Sequence, residues 1–353
     1  METLRIGISG AGTMGRIHAE SYRRSGKAEV VAICDSNKDK LEEAKRRLGI
    51  EKGFTEFEEM LEEDLDAVSI CTPNFLHFPQ ALSALERGCH VLLEKPMALN
   101  SQEAKKIVEK AEETGKILMM GMTWRFMRPY QYIRELAQEG EFGDIYYAWG
   151  KWLRRRGVPG LGGWFTTKKM SGGGPLIDIG VHVLDCILWI MDFPKVERVC
   201  GFVFEKFGFE AGEGDWPPPE AKHPHDLKTG VFDVEDFGGG LIFLEGGKVI
   251  NLEVSWALNQ EPFTGLGISG DKGGAVNPPL KIFKEKRKML EDVLPQIPGD
   301  REPLEVYHRE IKEFVQSVIE GRKPLATAEE GLEVMQILDA LYKSAKEKGE
   351  VRL

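Results

Sequence analysis

The segment Gly10-Ala11-Gly12-Thr13-Met14-Gly15 constrains this chain more than any other stretch. It ends a short apolar run at residues 5–9 and leads into residues 17–24, which have helical character, so the local order is strand, glycine turn, helix. A second apolar run, residues 30–34, ends at Asp35, twenty positions after Gly15. The three glycines have separate physical uses. Gly10 permits a tight turn, Gly12 lets a pyrophosphate approach the backbone, and Gly15 allows the helix to lie close against the strand. The helix N-terminus, with Thr13 and Met14 in its first turn, then faces the phosphates. Asp35 can accept hydrogen bonds from both ribose hydroxyls and repels a 2′-phosphate, which favours NAD over NADP as the cofactor.

The pattern continues with strands expected at 67–71, 91–94 and 117–120 and helices near 38–48, 77–87 and 101–114. Such alternation predicts an α/β Rossmann domain with a doubly wound parallel sheet. Ligands of these sheets bind beyond the C-terminal ends of the strands. That rule selects the Gly10 turn, Cys71-Thr72-Pro73-Asn74 with His77 following, and Glu94-Lys95-Pro96. Thr72 and Asn74 can bond cofactor ribose or amide groups. His77 either lines the cofactor site or caps the helix it begins. Lys95 follows the apolar Val91-Leu92-Leu93, so its ammonium emerges at the cofactor edge, and Glu94 can pair with a ribose or a nearby cation.

A chain of 353 residues is too long for one ordinary core, and the pattern changes after Gly121. A dinucleotide-binding domain at 1–122 and a second, α+β domain at 123–353 are therefore expected. Strand-like runs at 145–152, 196–207, 230–237, 241–244, 249–256 and 265–269, with a hairpin turn at Glu245-Gly246-Gly247-Lys248, suggest a large, predominantly antiparallel sheet. Helices are expected near 129–138, 175–189, 305–320 and 328–347.

The segment 175–189 is apolar almost all round and should be a buried helix. Asp178, His182 and Asp185 stand at i, i+4 and i+7 on one of its faces. Buried without partners, each polar group costs roughly 2–7 kcal/mol, so they must face one another, a cleft or a ligand. The preceding Gly172-Gly173-Gly174 can let a ligand approach. Hydride transfer from a secondary alcohol needs a base for the hydroxyl proton, and an imidazole titrating near neutrality serves in both directions. Asp178 can orient that imidazole or hold the substrate hydroxyl, and Lys95 can stabilise negative charge on the alkoxide oxygen.

Composition excludes other classes. Apolar residues make up 42% and charged residues 29%, the balance of a folded chain, and a net charge of −10 offers no general basic surface for nucleic acid. The run Arg154-Arg155-Arg156 is a solvated loop or a grip for phosphate or carboxylate. Cys34, Cys71, Cys89, Cys186 and Cys200 lack metal spacing and read as buried free thiols. His223, His225 and Asp226, in a Pro-, Gly- and His-rich loop at 208–229, lack a convincing third and fourth ligand, so no metal site is expected. With no apolar leader and no run of membrane-spanning length, a cytoplasmic protein without membrane partners is expected.

Gly10 to Gly15, Asp35, Glu94-Lys95-Pro96, Asp178-x-Gly180-x-His182 and Val234-Glu235-Asp236, in this order, resemble the glucose-fructose oxidoreductase, inositol dehydrogenase and rhizopine-catabolism (Gfo/Idh/MocA) family over nearly the whole chain. The resemblance implies NAD or NADP on the first domain and a sugar, inositol or related polyol as substrate. Lys95, Asp178 and His182 would match the catalytic set, with His182 the acid/base, and the bond from Lys95 to Pro96 is often cis in relatives. Trp124, Arg125, Trp152 and Trp164 suit a polyol or sugar-acid pocket, though each can equally be core. One alternative is an NAD-dependent glycoside hydrolase using transient oxidation, another a nucleotide-binding regulator. A large one-faced sheet also needs cover, so a homodimer or homotetramer through it is expected.

Overall fold

The computed structural model describes residues 3–214, 230–296 and 304–353, which form two compact units, 1–123 with 301–332 and 124–300 with 333–353. The elements of the first unit begin with β1 (Leu4–Ser9), α1 (Thr13–Ser25), β2 (Ala28–Cys34), α2 (Lys38–Leu48), β3 (Lys52–Phe54) and α3 (Phe57–Met60). They continue with β4 (Ala67–Ile70), α4 (His77–Glu86), β5 (His90–Glu94), α5 (Ser101–Thr114) and β6 (Leu118–Gly121).

The six strands form one parallel sheet in the order β3-β2-β1-β4-β5-β6. This order reverses direction at β1, and such a switch point opens a crevice for a dinucleotide beyond the strand ends. Strands β4 and β6 are buried along their whole length, as expected where helices cover both faces of a parallel sheet. The helices are punctuated by the residues that local physics favours. Asn37 and Asn100 cap α2 and α5 through their side-chain oxygens, and Gly26, Gly49 and Gly115 close α1, α2 and α5 in the left-handed conformation.

The second unit opens with α6 (Arg128–Gln138), β7 (Ile145–Leu153), α7 (Lys168–Ser171) and α8 (Val181–Ile190). Next come β8 (Val196–Phe204), β9 (Phe237–Leu244), β10 (Val249–Ser255), β11 (Phe263–Gly270), β12 (Gly273–Asn277), β13 (Lys281–Lys286) and β14 (Met289–Val293). Helix α9 (Glu305–Glu320) belongs to the first unit, the division falls within α10 (Ala328–Glu347), and β15 (Val351–Arg352) ends the chain.

Nine strands form the second sheet in the order β14-β13-β12-β11-β7-β10-β9-β8-β15, antiparallel throughout except for the β7/β10 pair. The expected strands at 230–237 and 241–244 are instead one strand, β9, that starts where the first was to end. Residues 230–236 run irregularly because Asp236 turns inward: its Oδ2 accepts from the amides of Lys206, Phe207 and Gly208. One face of the sheet packs on helices. A Cβ on Gly150 would lie 2.3 Å from Val183 of α8, and one on Gly240 2.7 Å from Leu341 of α10. The opposite face carries Trp149, Phe202, Phe204, Leu241, Phe243 and Phe263, with Leu241 40% and Phe204 43% exposed.

The stretch Lys168–Ile190 is long and apolar enough to cross a membrane by composition, but 94% of its most apolar window is buried within the protein. It is a core helix. Among the described residues no group of His, Cys, Asp and Glu is disposed to hold a metal ion, and His223, His225 and Asp226 lie outside them. All five cysteines are free. Cys34, Cys89 and Cys186 are buried as expected, while Cys71 is half-buried and Cys200 is exposed, because it points out from β8 on the open sheet face.

Candidate active site

In the first unit the glycine turn has the geometry its spacing predicts. Gly10 has φ +99°, and a Cβ there would lie 2.6 Å from the Cys71 carbonyl oxygen. A Cβ on Gly15 would lie 1.8 Å from the Gly10 carbonyl oxygen, so the helix can approach the strand only with glycine there. Gly12 has no atom within 4 Å of its Cβ position, which leaves room for a phosphate. Helix α1 begins at Thr13 and Met14 with no side-chain cap and no acidic residue in its first turn, the condition that favours an anion at a helix N-terminus.

Asp35 lies directly after β2. Its Oδ2 accepts from the Ala11 amide at 2.9 Å and its Oδ1 from the Asn37 amide at 2.8 Å. Thr72 donates to Gln80 Oε1 at 3.0 Å, and Asn74 is buried in the 3₁₀ turn that precedes α4. His77 is buried, with Nδ1 2.7 Å from the Pro96 carbonyl and Nε2 2.8 Å from the Thr72 carbonyl. It therefore neither caps α4 nor offers a ring nitrogen to a cofactor; it ties the loop after β4 to the loop after β5. Burial pushes its pKa down, and a neutral ring, with its single N–H, donates to only one of these two carbonyls.

Glu94 ends β5 and is buried. Its Oε1 lies 3.1 Å from His18 Nε2, and its Oε2 accepts from the Lys95 amide at 3.2 Å. His18 in turn meets Ser69 Oγ at 3.1 Å, which Tyr22 reaches at 2.9 Å. This network under the strand ends, unread in the sequence, joins α1, β4 and β5 immediately before the half-buried Lys95, whose bond to Pro96 is cis.

In the second unit the expected buried helix opens with a π-helical turn, Leu176–Gly180, before α8. Such a turn inserts extra backbone and re-aims side chains, and it recurs at functional sites. Asp178 lies within it and accepts from Trp256 Nε1 at 3.1 Å. His182 follows in the first turn of α8, 9% exposed, with its ring 6.2 Å from that of Trp152. Trp152 stacks on Trp124 at 5.4 Å and 24°, and Trp124 stacks on Tyr130 at 5.1 Å and 16°. The structure thus groups His182, Trp152 and Trp124. Of the two tryptophans, Trp124 is buried and Trp152 half-buried.

Arg125 and Asp185 have a different part from the one their positions suggested. Both are fully buried, and they form a bidentate pair, Nε to Oδ2 at 2.8 Å and Nη2 to Oδ1 at 2.6 Å. The guanidinium lies over Trp189 and Phe193. A buried arginine so engaged presents nothing to a ligand, and Asp185 belongs to this pair rather than to a stripe with Asp178 and His182. Trp164 stacks on Phe165 at 3.8 Å within the loop that follows β7. Arg154 lies over Trp152 and donates to the Gly157 carbonyl, Arg156 lies over Phe207 and donates to Asn259, and Arg155 is exposed.

The triple glycine also has a different cause. A Cβ on Gly173 would lie 2.1 Å from the Tyr342 hydroxyl, and one on Gly174 2.1 Å from the Glu235 carbonyl oxygen. Protein atoms, not a ligand, fill that space. Sequence reasoning missed Trp256, Glu235 and Tyr342 here; the one signal was Glu235-Asp236 directly before a strand.

Residues 4–122 match the model of an oxidoreductase family with an NAD-binding Rossmann fold, and residues 134–353 match that family's C-terminal alpha/beta domain. The chain is 34% identical over 358 residues to a D-glucoside 3-dehydrogenase of Escherichia coli, covering 99% of this chain and 97% of the relative. It is 26% identical to a myo-inositol 2-dehydrogenase of Thermotoga maritima, covering 99% and 98%. Among solved structures, a levoglucosan dehydrogenase in complex with NADH superposes with a TM-score of 0.86 at 23% identity, covering 99% of both chains.

Proposed function

Because the chain belongs to the Gfo/Idh/MocA oxidoreductase family, we propose that it transfers hydride between NAD and a ring carbon bearing a secondary hydroxyl in a glucoside or similar cyclic polyol. The observation that carries this reading is the pairing, on one buried helix, of Asp178 held by Trp256 with His182 set against the Trp152 ring. A sugar ring offers an apolar face of C–H groups and a rim of hydroxyls, and a half-buried indole beside an imidazole meets both. The full-length similarity to a D-glucoside 3-dehydrogenase supports the substrate class. The dehydrogenases among the relatives favour this reading over glycoside hydrolysis.

The residues present fit NAD. The Gly10 to Gly15 turn and the open N-terminus of α1 would receive the pyrophosphate, Asp35 the adenosine ribose, and Thr72, Asn74 and Glu94 the remaining polar groups. When bound, the nicotinamide supplies the acceptor for hydride. His182 takes the hydroxyl proton as the C–H bond breaks, Asp178 holds the hydroxyl or the ring that receives its proton, and the Lys95 ammonium stabilises negative charge on oxygen. For reduction, the same groups act in reverse, with His182 as the acid.

We further propose a cytoplasmic homodimer or homotetramer associated through the open face of the nine-stranded sheet. Its two aromatic clusters, Trp149 with Phe263 and Phe202 with Phe204 and Phe237, support this reading, since exposed apolar patches mark association surfaces.

The deciding experiment is NADH absorbance after adding glucosides, free aldoses, inositols and sugar acids with NAD. Accumulating, stoichiometric NADH with one class is expected; bound NAD with cleavage of a glycoside and no accumulating NADH would replace this reading by the hydrolase. In His182→Ala, turnover falls by about 100-fold or more while NAD binding survives, as loss of a general acid/base produces. Unchanged turnover would remove His182 from the mechanism.

A further inference from the structure

We infer that the Glu235-Asp236 dipeptide is the positioning element for Asp178 and His182, acting from both sides of Asp178; the catalytic part of this inference rests on the proposed function. On the backbone side, Glu235 is buried and its carboxylate reaches the start of the helix: Oε2 accepts from the Gly174 amide at 3.0 Å and Oε1 from the Leu176 amide at 3.2 Å. The Gly174 carbonyl then accepts the Asp178 amide at 3.0 Å. Glu235 thus does the work of an N-cap from a distant segment, and its negative charge faces the positive end of the helix dipole.

On the side-chain side, the Asp236 carbonyl accepts the Trp256 amide at 2.9 Å, and the Trp256 indole donates to Asp178 Oδ2 at 3.1 Å. Two adjacent residues therefore fix the backbone and the carboxylate of Asp178 through one intermediary each. Trp256 is fully buried and Asp236 is itself anchored by three amides, so the frame is rigid.

The frame accounts for features that the reaction alone does not. Burial pushes the Glu235 carboxyl above its ordinary range, an unfavourable setting opposed by its hydrogen bonds from Tyr342, Gly174 and Leu176. The Tyr342 hydroxyl donates to Oε1 at 2.7 Å, so α10 braces the same carboxylate. The contacts at Gly173 and Gly174 leave no room for any side chain between this brace and the helix. A cap made only for stability needs one hydroxyl at Ncap; here a buried charge, a tyrosine and two glycines hold a turn of unusual pitch in which Asp178 sits.

Glu235→Gln keeps the shape but can accept only through one oxygen. Its kcat on the polyol is expected to fall by about tenfold or more, with NAD affinity held within about twofold and the circular dichroism spectrum unchanged. A kcat within about twofold of wild type, or equal losses of kcat and NAD binding, overturns the inference. Since a change at a buried charge can prevent folding, Trp256→Phe is the second variant: it keeps an aromatic ring and the backbone bond to Asp236, loses the indole donor together with part of the ring volume, and is held to the same standard. The His182 ring signals, assigned by their disappearance in His182→Asn, are expected to shift in either folded variant. Unshifted signals overturn the positioning role. Shifted signals in a protein whose wild type reduces no NAD with any polyol leave the positioning standing and overturn the proposed function alone.

Discussion

The carboxylate of Asp35 is fixed by protein alone, one oxygen by the Ala11 amide inside the glycine turn and the other by the Asn37 amide. A carboxylate has about four acceptor sites, so both oxygens keep capacity for the ribose hydroxyls that the proposed function assigns to Asp35. In Asp35→Ser, the ratio of kcat/KM for NAD over NADP is expected to fall by at least about tenfold, since one close like-charge repulsion is removed; an unaltered ratio refutes the assignment. Arg125 leads the other way. Arg125→Met strands the Asp185 carboxylate in the core, and losing one partner of a buried pair costs about 3–5 kcal/mol. Denaturant titration is expected to show that loss, with KM for the polyol unchanged in the folded fraction; a raised KM at unaltered stability would restore Arg125 to the substrate site. The glycines and Asp35 were legible because their reasons lie within a few residues or in one βαβ unit. The Arg125/Asp185 pair was not, because an arginine beside a tryptophan looks the same in sequence whether it meets a sugar or a carboxylate sixty positions away.

Among the elements, helix periodicity and capping read α2, α5, α9 and α10 to the residue, but the second sheet was legible only in part. Strands β12, β13 and β14 were missed because they are short; β13 is largely polar, and β14 is exposed throughout with its apolar Met289, Leu290 and Val293 not alternating, so neither has the pattern of a half-buried strand. The π turn ahead of α8 was invisible for another reason: its start is bonded from a distant segment by Glu235, whose position no helical period encodes. Strand β5 carries a testable pH dependence at its start. His90 Nδ1 accepts from the Ile117 amide on entry to β6 at 2.9 Å, which requires the neutral ring. Burial, and then the Lys116 charge, lower its pKa, as burial does for His77. A histidine with a depressed native pKa binds fewer protons folded than unfolded, so stability rises with pH below the unfolded value of about 6.5 and is flat above it. The Tm is accordingly expected to fall as pH drops below that value. His90→Gln, whose amide oxygen can still accept from Ile117, should show a shallower fall; an identical profile would place the titration elsewhere.

At the scale of the molecule, one face of the nine-stranded sheet carries aromatic residues that the described residues leave partly exposed. On the sheet face away from α8 and α10, Phe204 stacks on Phe237, Phe202 tilts against both, and Trp149 tilts against Phe263. The charges there are already matched within the sheet: Lys151 meets Glu253 at 3.2 Å from directly opposite positions on β7 and β10, and Arg198 covers Phe243. A face with two aromatic clusters and a paired charge between them loses little by being buried and gains the burial of its rings, about 25 cal/mol for each Å². Leu241 stands within it, 40% exposed and opposite Asn251, where a longer polar side chain meets no steric obstacle in the single chain. Leu241→Glu is therefore expected to leave the fold and NAD binding intact but to place unpaired charge inside an interface, shifting the mass measured by light scattering at micromolar concentration from a dimer or tetramer to the monomer. If the wild type is itself a monomer under those conditions, association through this sheet is refuted. If the variant keeps the wild-type mass, the contact lies on another surface, and the edge strand β14, with Met289 67% and Leu290 87% exposed, becomes the next surface to substitute.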